Sequence, residues 1–398
     1  MSSKNTQKYN RKKAFILSAA VRVFNETGLG DTTITKLAAS AGLAKTSVTY
    51  YYKRKEDLIA ACYRDTFEKL EDIVTQVDST QAPTDRLRQF INRYFIILND
   101  IATEQATPFL SFGHLRALDE PIRSEFFGRY VDLFRSLRNL IQPVNFEDSD
   151  RWRLKGCARF LLNQIHWCVN WTGRYPGDRL NRAAEQFADI LIKGVNPSGV
   201  EWSEPPGMEH KKPSQAKEIF LQKATELINE MGYRGASLEK IATRLERTKG
   251  SFYHHYTNKD ELVIACSERT FTTVNAILGH ASMAGSRADY LRGIISNLVR
   301  FQLDPAGPLL PGKSLQALPS EKRIPITDRF SQLAKDLTDL IIDGIIDGSI
   351  RPVDPNIAAQ MLVSNIFSSP EIPLWFPDVT IDKAATFYVR PFFDGLFK

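Results

Sequence analysis

The chain has 398 residues, 43% of them hydrophobic and 25% charged, with a formal net charge of +6. That is too long for one ordinary core, and the composition is that of a globular protein of two to four domains. No apolar run reaches membrane-spanning length, the opening MSSKNTQKYNRKKAF lacks the apolar core of a signal peptide, and no two of Cys62, Cys157, Cys168 and Cys266 have CxxC spacing. These features argue against a membrane protein, a disulfide scaffold and a zinc module, and lead to the expectation of a cytoplasmic chain with reduced thiols and neither metal nor cofactor.

The charge is unevenly placed. Residues 1–64 hold twelve Lys/Arg against four Asp/Glu, residues 211–262 hold ten against seven, and the remainder is slightly acidic. Two basic zones on an acidic body suit localised polyanion contact. In chain order, Lys4, Lys8, Arg11, Lys12 and Lys13 come first, and read either as a basic arm suited to a minor groove or as a solubilising terminus. The spacing of Ile16, Ala20, Val23 and Phe24 predicts a helix over 14–27, ended by Gly28 in a left-handed cap. Thr33 is placed to cap a second helix that turns Ile34, Leu37 and Ala38 inward, and Gly42 suits the tight turn after it. A third short helix, about 45–51, presents Lys45, Thr46, Ser47, Thr49 and Tyr50; Lys55-Glu56-Asp57-Leu58 opens a fourth. Three short helices with a glycine turn before the third form a helix-turn-helix, whose third helix fits the major groove. Lysines there neutralise phosphate, while hydroxyls bond phosphate oxygens or base edges.

The phrase occurs twice. ILSAAVRVFNETGLGDTTITKLAASAGLAKTSVTYYYKRKEDLIAAC, from residue 16, lies without a gap over FLQKATELINEMGYRGASLEKIATRLERTKGSFYHHYTNKDELVIAC, from residue 220. Gly28 meets Gly232, Lys45 meets Lys249, Ser47 meets Ser251, Tyr52 meets Tyr256, Lys55 meets Lys259 and Cys62 meets Cys266. Further on, ATPFLSFGHLRAL at 106–118 matches AGPLLPGKSLQAL at 306–318 more weakly, now offset by 200. A repeat this long is a duplication of a whole two-domain unit, not a solenoid.

Both phrases resemble the N-terminal DNA-binding domain of TetR-type transcriptional regulators, TKGSFYHHYTNKDEL most closely. The resemblance implies an all-α fold of two tandem units, each a three-helix helix-turn-helix domain followed by a helical-bundle regulatory domain. It implies double-stranded DNA as partner, homodimers as the usual family state, and a small, apolar effector. It also implies roles by position: Lys45 and Lys249 touch DNA at the start of the recognition helix, Tyr253 contacts phosphate, and Lys55 and Lys259 contact the backbone at the fourth helix. Thr33, Ser237, Gly250 and His254 complete the candidate DNA-contact set. The copies depart from the pattern differently. Copy one has Ala44 at a usual capping hydroxyl and Thr49 in place of the tyrosine; copy two has Glu246 where copy one has Gly42. The base-facing positions also differ: Thr46/Gly250, Val48/Phe252, Thr49/Tyr253 and Tyr50/His254. Unequal half-sites are therefore expected, with copy one as the electrostatic anchor.

These boundaries follow: residues 10–70 and 214–274 as the two DNA-binding domains, 71–195 and 275–398 as helical regulatory domains, and 196–213 as a Pro/Gly-rich linker. Such a linker reaches at most roughly 60 Å at about 3.3 Å per residue, enough to return to a second head. The simplest arrangement is an intramolecular pseudo-dimer, in which helices 150–172 and 178–195 pack on their equivalents near 353–369 and 380–396. The rival is a four-headed homodimer. In the first regulatory region Asn92, Phe109, Phe112, His114, Asn163, His166 and Trp167 are the candidate effector-pocket residues; an ordinary core with a few satisfied polar groups has the same composition.

Two other readings compete. One is a ligand-binding or adaptor protein that kept the fold without binding DNA. The other is an NTPase resting on Gly307–Ser314, GPLLPGKS, which fits the GxxxxGK[ST] pattern; but no strand precedes it, and Pro308 and Pro311 remove amide donors that a phosphate cradle needs. No HExxH or GxSxG is present, so no catalytic residue is assigned.

Overall fold

The computed structural model describes residues 2–398 apart from 31, 144, 148–149, 210–214, 245–255, 257, 281–284 and 316–317. Among the described residues every regular element is helical: α1 (Ser2–Thr27), α2 (Ile34–Ser40), α3 (Lys45–Tyr51), α4 (Lys55–Thr75), α5 (Pro83–Ala102), α6 (Ile122–Ile141), α7 (Arg151–Cys168) and α8 (Asp178–Lys193) in copy one. Copy two follows with α9 (Ala216–Gly235), α10 (Leu238–Arg244), α11 (Lys259–His280), α12 (Arg287–Leu303), α13 (Ser320–Ile346), α14 (Pro355–Ser368), the short α15 (Ile372–Trp375) and α16 (Ile381–Asp394). None of these helices is long and apolar enough to cross a membrane. Two compact units result, residues 1–81 with 89–140, and residues 82–88 with 141–398. The division cuts across the repeat: α7 and α8 of copy one belong to the same unit as copy two.

In the first unit α1 packs on α2 and α4 through Ile16, Ala20, Val21 and Phe24, all fully buried. Val21 takes the inward place expected of Val23, which is only half-buried. Gly28 (φ +81) ends the helix and its N–H reaches Phe24 O at 2.9 Å. Aromatic rings fill the space beyond α4: Phe67 contacts Phe112 and Phe126, and Phe109 stacks on Tyr94. One pair of hydrogen bonds recurs in both copies. Asn25 Nδ2 donates to Phe109 O (2.8 Å) while Leu110 N donates to Thr66 Oγ1 (2.9 Å). In copy two, Asn229 Nδ2 donates to Leu309 O (3.0 Å) and Leu310 N to Thr270 Oγ1 (2.8 Å). Each head's first and fourth helices are thus fastened to the loop that follows α5 or its counterpart α12, with the two different repeat offsets seen in the sequence.

The second unit holds the contact between the copies. α7 and α8 pack on α14 and α16, as the repeat predicts. The crossing is pseudo-symmetric under a shift of 201 residues. Val195 N donates to Phe392 O (3.1 Å), and its counterpart Leu396 N donates to Leu191 O (2.9 Å). Gly194 lies against Phe393 O and Gly395 against Ile192 O so closely that a Cβ would stand 2.1 and 2.3 Å from the oxygens. The equivalent residues Gln164 and Asn365 meet each other, Nε2 to Oδ1, at 3.4 Å.

The polar pairs break this symmetry. Asn163 Nδ2 donates to the Tyr388 hydroxyl, where the position equivalent to Tyr388 is Phe187. Arg159, 1% exposed, pairs with Glu371 and lies 5.1 Å from the Trp375 ring. Trp167 Nε1 donates to Gln360 Oε1 (3.1 Å), Asn196 Nδ2 to Asp394 Oδ1 (2.9 Å), and Arg351 pairs with Asp189 (2.7 Å). Each pair takes one member from each copy, so pairing a copy with itself would leave buried polar groups unsatisfied.

The segment after α8 does not run free. Arg292, 3% exposed, lies 5.3 Å from both the Trp202 and Phe393 rings and donates to Ser203 Oγ at 3.0 Å. Arg300 pairs with Glu204 (2.6 Å) and Asp382 (2.9 Å), and Met208 N donates to Asn297 Oδ1 (2.9 Å). Residues 202–208 therefore form a strap on α12 and α16 rather than the free tether their Pro/Gly content suggests.

Candidate nucleic-acid interface

α3 is held by its one buried side chain, Val48, and turns Lys45, Thr46 and Tyr50 outward, Tyr50 being 67% exposed. The turn before it needs Gly42 (φ +64): Leu43 N returns to Ala38 O (2.8 Å) and Gly42 N to Ala39 O (3.1 Å), the paired bonds of a Schellman motif. Ala44 stands at the N-cap with extended backbone and no capping side chain, as expected. Ser47 is half-buried, and the Thr49 hydroxyl donates back to Lys45 O at 3.2 Å, so the Thr49 oxygen is left to act as an acceptor. Tyr52 is buried behind the helix, and desolvation pushes its phenol well above the usual range.

The other candidates have local structural duties. Thr33 Oγ1 accepts from Lys36 N and Ser237 Oγ from Lys240 N, both at 3.2 Å, so each begins the second helix of its head. Lys55 Nζ donates to Leu29 O (3.1 Å) and Gly30 O (3.3 Å), pinning the α1–α2 connection. Lys259 Nζ lies 4.6 Å from the Tyr233 ring. The other copy-two candidates, Lys249, Gly250, Ser251, Tyr253 and His254, with Glu246 of the turn, lie outside the described residues. Among the described residues this head has a core: Leu221, Ala224, Ile228, Ile241, Tyr256, Leu262 and Cys266 cluster, and burial pushes the Cys266 thiol up to about 11.

Sequence reasoning missed an aromatic–basic cluster at α3. The basic tail is helical and continues α1 from Ser2. Tyr9 meets Tyr51 (4.8 Å between centroids) and Tyr50 (6.3 Å). Lys8, Tyr9, Arg11, Lys12, Phe15, Tyr50 and Tyr51 line one open cleft. The absence of any Gly or Pro before Gly28 was the signal available.

The predicted effector residues fall in both units. Asn92 is exposed, and Phe109 and Phe112 sit in the aromatic packing of the first unit. Asn163, His166 and Trp167 belong to α7 in the second unit, where Asn163 and Trp167 bond copy two. Of His114 only the backbone is described, in a 3₁₀ turn. In the phosphate-loop look-alike, Leu309 N donates to Gln302 Oε1, Leu310 N to Thr270 Oγ1 and Ser314 N to Pro311 O. With two prolines and the amides of Leu309, Leu310 and Ser314 already bonded within the protein, that segment lacks most of the donors of a phosphate cradle.

A model of the family described as bacterial regulatory proteins, tetR family, matches residues 16–62 and again 220–266. The chain is 28% identical over 158 residues to the HTH-type transcriptional repressor DhaR of Mycobacterium sp. (strain GP1), covering 37% of this chain and 77% of DhaR. It is 27% identical over 109 residues to the transposon Tn10 TetC protein of Escherichia coli, covering 26% of this chain and 55% of TetC, about half that relative's length. The crystal structure of apo AibR aligns at 24% identity over 44% of this chain and 97% of AibR, with a TM-score of 0.37. With two matched domains 204 residues apart on a helical chain, the protein carries two tandem units, each headed by a DNA-binding domain of the tetR family of bacterial regulatory proteins.

Proposed function

We propose that one chain binds duplex DNA as a covalent pseudo-dimer, placing two unequal helix-turn-helix heads on an asymmetric or pseudo-palindromic operator and repressing transcription until an effector binds. The contact between copies carries this reading: its pairs Arg159–Glu371, Asn163–Tyr388 and Trp167–Gln360 each need one residue from either copy. A surface satisfied in this way has no use for a second chain. In the proposed division, residues 10–70 and 214–274 are the heads, 71–195 and 275–398 the regulatory domains, and 196–213 joins them. Lys45, Thr46 and Tyr50 contact DNA from the first head, with Lys249, Ser251, Tyr253 and His254 in the second. Ser47, Thr49, Lys55, Lys259, Thr33, Ser237 and Gly250 act at the margin of those contacts. An apolar effector acts through the loops that Asn25 and Asn229 fasten, because shifting either loop pulls directly on the first helix of its head.

Salt-dependent binding tests the assignment. Each phosphate contact contributes roughly 0.9 to the slope of log affinity against log salt. Lys45→Ala and Lys249→Ala are each expected to flatten the slope by about one, and the double variant by about two. Slopes equal to the parent's in all three variants would remove the assigned contacts.

A further inference from the structure

We infer that the N-terminal helical extension of copy one is a second DNA-contact surface, gripping the phosphates that flank the half-site of the first head, and that the second head lacks it. This rests on the DNA-binding reading above. No Asp or Glu occurs before Glu26. Lys8, Arg11, Lys12 and Phe15 are spaced i, i+3, i+4, i+7, so they share one face of α1. That face lines the cleft whose opposite wall is Tyr50 and Tyr51, the last residues of α3. None of the three cations forms an ion pair with a described residue. The Tyr9 ring, wedged against Tyr50 and Tyr51, fixes the extension to the helix proposed to enter the groove.

The chemistry of the face selects its occupant. Tyr9 is 40% exposed, Phe15 50% and Tyr50 67%, so the surface is part aromatic and part cationic, with the Tyr50 hydroxyl as a further donor. A polyanion with sugar edges answers all of these, and an apolar protein partner would bury three cations unpaired. From residue 8 to residue 15 the helix rises roughly 10 Å, about three phosphates at 3.4 Å of duplex axis each. The described residues of copy two are arranged differently. The residues aligned with the extension begin at 206, where Pro206 O and Met208 N are bonded to Asn297, and α9 starts only at Ala216.

The test uses the full chain and a random-sequence duplex of about 30 base pairs, since phosphate contacts govern non-specific binding. The triple variant Lys8→Gln, Arg11→Gln, Lys12→Gln keeps helix propensity and touches no core residue. It is expected to flatten the salt slope by roughly two to three. Tyr9→Ala is expected to weaken binding and Tyr9→Phe to leave it unchanged, because the ring packing is what positions the cations. An unchanged slope in the triple variant, alongside a flattened slope in Lys45→Ala, overturns the inference and leaves the recognition helix in place. Unchanged slopes in both overturn the DNA-binding reading, and the inference with it.

Discussion

Gly194→Ala probes the crossing between the copies at its tightest point. Gly194 has φ +69 and ψ −165, a region essentially reserved for glycine, where another residue costs about 1–3 kcal/mol. The new Cβ would lie 2.1 Å from Phe393 O and 2.5 Å from Gly395 N, so the facing backbone must retreat by about 1 Å to reach ordinary contact. That retreat strains the bonds from Val195 N and Asn196 N to Phe393 O, at 3.0 and 2.9 Å, each worth roughly 0.5–1.5 kcal/mol. Together the loss is about 2–6 kcal/mol. Gly199 supplies the control: its φ is +83, but no atom lies within 4 Å of the place an added methyl would take, so Gly199→Ala pays strain alone, about 1–2 kcal/mol. Urea titrations of the two variants, followed by circular dichroism, separate the terms. Equal midpoint shifts for both would refute the claim that the copies touch backbone to backbone here.

Three further outcomes follow from local geometry. Ala44→Ser gives α3 the N-cap it lacks and should raise stability of the first head by about 0.5–1 kcal/mol, read as a rise in its thermal midpoint. Glu371→Ala removes the carboxylate that pairs with the buried Arg159 guanidinium, whereas Arg159→Met leaves a Glu371 that is 39% exposed; the first should destabilise more than the second by about 1–3 kcal/mol in denaturant melts. Trp202→Ala removes the ring beneath Arg292 and should open residues 202–208 to limited proteolysis, while the parent chain resists cleavage there.

Where a residue's role depends on its own backbone, the sequence was readable. Gly28, Gly42 and Thr33 announced their positions because positive φ and helix capping restrict residue choice locally. The limits of α3 followed from them. Placement against distant partners was not readable in the same way. Asn92 and Asn163 both lie in apolar helices, yet one faces outward and the other bonds Tyr388, 225 residues away, and periodicity does not distinguish a regulatory core from a contact between copies. The strap was missed for a related reason: Pro and Gly mark irregular backbone but carry no information about the arginines it lies on. The helical extension was missed because lysines at a chain start suit a solvated tail as well as a helix face.

The mass of the protein–DNA complex, measured by light scattering or native mass spectrometry on an operator duplex, tests the central claim most directly. One chain per duplex, with both heads protected in the footprint, is the predicted result. Two chains on a single site, or a stable dimer of chains before DNA is added, would contradict the covalent pseudo-dimer.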